Sequence, residues 1–314
     1  MNMTIRTKLS LCFACALIIG TAIVPAAQAA GPQAPGLLRA VADKDLAGVT
    51  AALQAAGLES EYLDEYAPDM EDAFLVYESN YLAVLCLRFP VETSTWVFVA
   101  EPLPGQEHER IIGFRDLAPQ ATPFSEPATL QDGSVLLPVR SRPGSGSGVY
   151  LASITWFLFN RDTVATVLDY PLEGAVVGWG LSYEREFSSL TTYRGESGGQ
   201  FAVEATFSAT FSNGLYEQLP GLGELFSYEE PVRFVLDPGT KTFAVDPAHS
   251  GLTMDQIQGL FNDAEDGFLE HNTGRLSQLA TQGTDEQRQW LRLFLDACSD
   301  SPAKTDMLKL LDAK

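Results

Sequence analysis

The residues with the most obvious chemical potential are Gly195-Glu196-Ser197-Gly198-Gly199. A serine between glycines can act as a nucleophile when its hydroxyl stands on a sharp turn and a histidine, oriented by a carboxylate, takes its proton. His108 and His249 are the histidines that could serve on either side of the string. The same glycines also suit a hairpin loop, because glycine supplies the positive φ angles of tight turns.

The string resembles the nucleophile loops of two hydrolase families. It satisfies the G-x-S-x-G elbow of the α/β-hydrolases, and that resemblance implies a strand before the serine and a helix after it. It is also similar to the G-D-S-G-G loop of chymotrypsin-like proteases, with Glu196 in the place of aspartate. The second resemblance implies an exported, all-β protein with a histidine and an aspartate earlier in the chain.

The residues around the string argue against both resemblances. Apolar and polar residues alternate from Gln200 to Phe211, which predicts a strand after the serine and not a helix. His108 is the only histidine before Ser197, and its neighbours are Gln, Glu and Arg rather than small residues. We therefore predict no catalytic residues, and a serine hydrolase that uses Ser197 is the alternative.

Residue types that bind metals are scattered along the chain. None of the three histidines has a second His or Cys at the spacing of zinc ligands. Residues 262–267 begin like a calcium loop, but Thr273 stands where that loop needs its bidentate acid. The acidic run 59–72 is typical of a solvated loop. We predict no metal and no cofactor.

One aromatic residue is a candidate for ligand binding. Trp96 and Trp156 lie in apolar strand candidates, where alternation predicts core positions. Trp179 differs because it stands between Gly178 and Gly180, a setting that can leave it exposed at the rim of a sheet. Trp179 is therefore our candidate binding residue, although the sequence does not identify a ligand.

The first residues predict export. Arg6 and Lys8 precede an apolar run from Leu9 to Val24, and small residues follow up to Ala29. This order is typical of a secretory signal peptide, and the A-x-A pattern predicts cleavage after Ala29. The apolar run is shorter than the roughly 20 residues of a membrane-spanning helix. We therefore expect a periplasmic or extracellular protein without an integral membrane segment.

The charge of the chain limits the classes of partner, and its cysteine content limits the disulfide bonds. The chain has 20 Lys+Arg and 41 Asp+Glu, a net charge of −21, which repels nucleic acid and anionic lipid. The remaining partners are a protein or a small-molecule ligand. After cleavage the chain keeps Cys86 and Cys298, too few for a disulfide scaffold. The two cysteines can form either one disulfide bond or two buried free thiols.

The first half of the chain predicts helices and then strands. Residues 37–57 have apolar side chains at helical spacing and resemble one ankyrin helix pair, with a break at 43–45. Strand patterns follow at 74–77, 82–87 and 95–99. The order of helix, acidic loop and three strands is similar to the YbjN-like, secretion-chaperone-like arrangement. No function is carried across from either resemblance.

The second half predicts a sheet and a helical tail. Residues 149–159, 163–170, 175–177, 186–193, 200–211, 232–236 and 242–245 have strand patterns. Residues 140–148 are rich in Gly, Ser and Pro, which favours either a domain linker or a hairpin loop. Thr253 and Thr284 begin capping boxes, and Ser301 precedes a proline at the first helical position.

These patterns predict an α+β protein. We expect a short N-terminal helical segment, a large antiparallel β structure (a sandwich or an open barrel) and a helical C-terminal cap. The predicted divisions are a signal peptide at 1–29, a disordered leader at 30–36, helix plus antiparallel strands at 37–139, an antiparallel β domain at 149–251 and C-terminal helices packed on it at 252–314. The expected role is that of a non-enzymatic accessory protein that binds a ligand or a partner.

Overall fold

A computed structural model describes residues 36–56, 69–78, 82–89, 93–100, 109–118, 120–146, 148–178, 180–197 and 200–313. Over these residues the chain is α+β, with seven helices and two antiparallel sheets, as the sequence predicts. Several predicted features lie outside the described residues: the signal peptide, the leader except Gly36, most of the acidic run, His108 and Trp179.

The first sheet has a helix pair on one face. The pair is α1 (Leu37–Ala42) and α2 (Leu46–Ala55), and the sheet order is β1 (Asp69–Glu78), β2 (Leu82–Phe89), β3 (Thr93–Ala100) and β4 (Arg110–Leu117). The predicted break between the helices is confirmed. Asp45 caps α2 by accepting a hydrogen bond from the Gly48 N–H at 3.1 Å.

The second sheet is a meander of long strands. Its strands are β5 (Thr122–Pro123), β6 (Ala128–Thr129), β7 (Val135–Gly146), β8 (Val149–Phe159), β9 (Val164–Val176), β10 (Tyr183–Ser197), β11 (Gln200–Asn213), β12 (Glu224–Leu236) and β13 (Phe243–Val245). From β7 to β13 each strand pairs with the next, and β5 and β6 both pair with β7. The alternation predicted for β11 is confirmed, since its residues are buried and half-buried in turn from Val203 onward.

Two features of this sheet were not settled by the sequence patterns. Gly146 pairs with Val149, so β7 and β8 form a hairpin, which is one of the two alternatives for residues 140–148, and the chain passes from the first sheet to the second between Leu117 and Thr122. Strand β9 is one strand, although Pro171 separates its two predicted parts. Between the pairs Ala152–Glu173 and Ser153–Pro171, β9 has one extra residue, so a bulge at Leu172 adjoins the proline, and such irregularities accommodate a residue that lacks an N–H donor.

The two sheets pack face to face around aromatic rings. Phe98 of β3 lies 5.5 Å from Phe157 and 5.7 Å from Phe159 of β8, between ring centroids. Gly113 of β4 meets Val164 so closely that an added Cβ would lie 2.2 Å from the valine Cγ1. These contacts bury the face of the first sheet that the helix pair leaves free.

Five C-terminal helices cover the opposite face of the second sheet. They are α3 (Met254–Asn262), α4 (Glu265–His271), α5 (Thr273–Gln282), α6 (Asp285–Ala297) and α7 (Pro302–Asp312). Both predicted capping boxes are present, and Ser301 caps α7 before Pro302. Trp290 of α6 is fully buried and donates its indole N–H to the Ser182 carbonyl at 2.8 Å. The helices therefore form part of the folded body.

The two described cysteines are free thiols in different cores. Cys86 lies between the two sheets, whereas Cys298 lies under the C-terminal helices, so the bridge considered from the sequence is wrong. Burial raises the pKa of the Cys86 thiol to about 11 and that of the Cys298 thiol to about 12. Both thiols therefore stay protonated in the folded protein at neutral pH.

This burial predicts how the thiols respond to unfolding and to pH. In a chain that starts at Ala30, Ellman's reagent should react slowly in buffer and with two thiols after denaturation. The unfolded thiols ionise near pH 8.5. Because the folded pKa values are higher, the free energy of unfolding should fall as pH rises above about 9. Rapid native labelling of both thiols, or no thiol after denaturation, would contradict this expectation.

Candidate functional site

The described residues of the serine string, Gly195 to Ser197, form the end of strand β10. Ser197 ends β10 and is opposite Gln200 of β11, so a strand follows it where a nucleophile elbow needs a helix. His249 binds Asp246, with 2.7 Å between Nδ1 and Oδ2. The Asp246 N–H donates to the Arg233 carbonyl of β12, which places this pair three strand spacings, about 14 Å, across the sheet from β10.

The strand context leads to a prediction for Ser197. The Ser197→Ala variant should keep its unfolding free energy within about 0.5 kcal/mol, because the change removes only a hydroxyl at the end of a hairpin. Chemical denaturation measures this directly. A fluorophosphonate probe that labels the parent protein and not the variant would restore the hydrolase alternative.

A different histidine pairs with a carboxylate beneath the C-terminal helices. His271 Nδ1 lies 2.7 Å from Asp263 Oδ2. Gly259 and Gly267 make room for this pair, since an added Cβ would lie 2.4 Å and 2.6 Å, respectively, from the Asp263 carboxylate oxygens. The residues involved recur every four positions, at 259, 263, 267 and 271, a local pattern that sequence reasoning missed.

The surroundings of this pair indicate that it stabilises the fold and does not bind a substrate. The Asp263 carbonyl accepts hydrogen bonds from the Tyr183 hydroxyl at 2.9 Å and from Arg185 Nη1 at 2.7 Å. Arg275 lies 3.9 Å above the Tyr228 ring. The cavity lined by Asp263, His271, Tyr228 and Arg275 has a volume of about 10 Å³, which has room for one water molecule and not for a substrate. Through these contacts the pair joins the end of α3 and the end of α4 to strand β10 of the sheet.

A larger cleft opens at one end of the second sheet. Its volume is about 350 Å³, which falls within the size range of small-molecule sites. It is lined by the end of β9, the start of β10 and the loop after β11. The lining residues are Val176, Gly178, Gly180, Leu181, Tyr183, Glu184, Gly214, Leu215, Tyr216, Glu217 and Gln218.

One carboxylate holds two walls of the cleft together. Glu184 accepts a hydrogen bond from the Gly178 N–H at 2.8 Å through Oε1, and one from the Tyr216 hydroxyl through Oε2. Tyr216 is half exposed even though its hydroxyl is held. Burial and the Glu184 charge raise the pKa of Tyr216 to about 12, so the phenol remains a neutral donor.

The loop that carries Tyr216 is anchored by a buried asparagine. Asn213 is fully buried, donates its side-chain N–H groups to the Leu219 and Leu222 carbonyls, and accepts from the Leu215 N–H at 2.8 Å. Next to it, Gly214 lies against the backbone of Leu181, where an added Cβ would be 2.3 Å from the carbonyl oxygen. The loop that carries Tyr216 is therefore held in place by its own backbone contacts.

The candidate residue Trp179 falls outside the described residues, but both of its neighbours line this cleft. Gly178 and Gly180 have φ angles of 73° and 72°, which glycine adopts without strain. The glycine pair therefore lies in the wall of this cleft. Glu184 and Tyr216 were missed, because only the pairing of β10 with β11, in which Glu184 is opposite Ser212, brings them together.

The described residues offer no evident metal site or membrane helix. No group of three or more His, Cys, Asp or Glu side chains among them could hold a metal ion. Residues 262–267 are the end of α3 and the start of α4. No helix in the described part of the chain is long and apolar enough to cross a membrane.

Comparisons with known proteins found no match for the chain among protein-family models, curated proteins or solved structures.

Proposed function

We propose that the protein is an exported, non-enzymatic binding protein and that the cleft beside Tyr216 receives its ligand. The observation that carries the proposal is the cleft itself, which combines a ligand-sized volume with a half-exposed aromatic ring held by a hydrogen bond. The anchored loop of Tyr216 favours binding, because little conformational entropy of that loop is lost when a ligand enters.

Export is the other part of the proposal, and the order of residues in the leader supports it. Mass spectrometry of the protein from its native host should find a chain that begins at or near Ala30. A chain that retains Met1, or a lipid on Cys15, would contradict export with cleavage.

Binding at the cleft is tested with two matched aromatic substitutions. Tyr216→Ala removes the ring in the cleft, whereas Phe114→Ala removes a ring of β4 that is also about half exposed, at 43% against 50%. A small-molecule screen followed by amide NMR should find ligands that shift the signals of Gly178 and Gly214. These shifts should disappear with Tyr216→Ala and persist with Phe114→Ala. Ligands whose shifts persist in the Tyr216→Ala variant, or a screen that finds no ligand, would contradict the proposal.

A further inference from the structure

The charge around the cleft has one sign. Glu184 and Glu217 line it, and no Lys, Arg or His is among its lining residues. In the described part of the chain, neither of these carboxylates forms an ion pair. The two groups that Glu184 binds, an amide N–H and a phenol, are both neutral, so its negative charge is not compensated.

Glu184 also keeps the capacity to bind a further donor. An ionised carboxylate has about four acceptor positions, and the described hydrogen bonds of Glu184 use one on each oxygen. Its side chain contributes to the wall of an open cleft, so a ligand that enters the cleft can approach the remaining positions.

The Tyr216 ring lies beside this carboxylate because its hydroxyl is bonded to it. A half-exposed ring presents an electron-rich face, which attracts a cation within about 6 Å of its centre. Carboxylate and ring together favour a positive group, and an anionic ligand would be repelled. The net charge of −21 over the whole chain acts in the same direction.

From these features we infer that the cleft binds a small organic cation, whose ammonium group lies against the Tyr216 ring and the Glu184 carboxylate. The inference rests on the proposed binding function and adds the chemical class of the ligand. The cleft volume of about 350 Å³ limits the cation to the size of a simple amine or a quaternary ammonium compound.

The test compares cations with neutral molecules of the same shape. Choline is paired with 3,3-dimethylbutanol, in which carbon replaces the charged nitrogen, and putrescine is paired with 1,4-butanediol. Each is titrated into the whole exported chain, and the amide signals of Gly178, Gly214 and Tyr216 are followed by NMR. At least one cation should bind roughly tenfold more tightly than its neutral partner, and added salt should weaken only the cation.

Three variants assign the preference to the cleft. Glu184→Gln keeps the shape and removes the charge, and it should reduce the affinity for the cation by roughly tenfold while leaving the neutral partner unchanged. Tyr216→Leu keeps the bulk and should also weaken the cation. Glu229→Gln removes an exposed charge of β12 that does not line the cleft, and should change the affinity little. Thermal melting checks that each variant is folded.

The outcomes separate the two proposals. If neutral molecules shift the cleft signals as strongly as cations and Glu184→Gln changes nothing, the inferred ligand class is wrong and the binding function stands. If no cation in the panel binds but a screened neutral or anionic compound does, the inference is equally overturned. If no compound of any charge shifts these signals, the binding function proposed for the cleft fails as well.

Discussion

A chain that ends at Gly251 will aggregate or melt far below the full-length protein. The truncation removes α3 to α7 and exposes to solvent the apolar face of the second sheet that these helices cover. In α6 by itself, four large apolar side chains are fully buried: Trp290, Leu291, Phe294 and Leu295. Each large apolar side chain contributes roughly 1.5–3 kcal/mol on burial, and the net stability of a domain is only about 5–15 kcal/mol.

The truncation is measured by size-exclusion chromatography and thermal melting, with a point variant as a finer test. Phe294→Ala should lower the free energy of unfolding by about 3–5 kcal/mol, because Phe294 stacks on Trp290 and contacts Phe268 in the core. Phe114→Ala, at an exposed position, should cost much less. A monomeric truncated protein that melts with the full chain would mean that the helices are an independent module.

Gly214→Ala will damage both the fold and the cleft. The added methyl would lie 2.3 Å from the Leu181 carbonyl oxygen and 2.9 Å from the Tyr183 nitrogen, both of which belong to the backbone. The backbone must move, and we expect a loss of about 1–3 kcal/mol or more in the free energy of unfolding. Because Gly214 and Leu181 both line the cleft, ligand binding should weaken too.

A matched control lies in the same loop. Gly221 has no heavy atom within 4 Å of an added Cβ and does not line the cleft, so Gly221→Ala should leave stability and binding nearly unchanged. Urea unfolding of both variants separates the contact from any general effect of losing a glycine. Equal stability of the two variants would show that the close approach at Gly214 has no energetic importance.

The sequence predicted the elements whose signals are local. Capping boxes at Thr253 and Thr284 span four residues each, and the alternation of β11 is contained in one strand, so neither depends on the rest of the fold. The sequence patterns divided β9 into two parts on either side of residues 171–174, because the bulge at Leu172 that joins them is defined only by the pairing with β8. The hairpin at 140–148 was left open, because its composition also fits a linker.

The cleft depends on contacts between distant residues, and the sequence located it only in part. The Gly178–Gly180 pair was visible as an unusual setting for a tryptophan. Glu184 and Tyr216 are separated by 32 positions, and neither has a local pattern that distinguishes it from a surface residue. Likewise, the pairing of Asp263 with His271 requires the turn between α3 and α4.

The central claim, that this cleft is the binding site, is tested most directly by mapping amide NMR shifts during the titrations with choline and putrescine. Selective shifts of Gly178, Gly180, Gly214 and Glu217 are the predicted result, with Gly259 and Gly267 beside the water-sized cavity unchanged. Shifts that map to another surface, or cleft signals that stay constant while binding is detected by calorimetry, would contradict it.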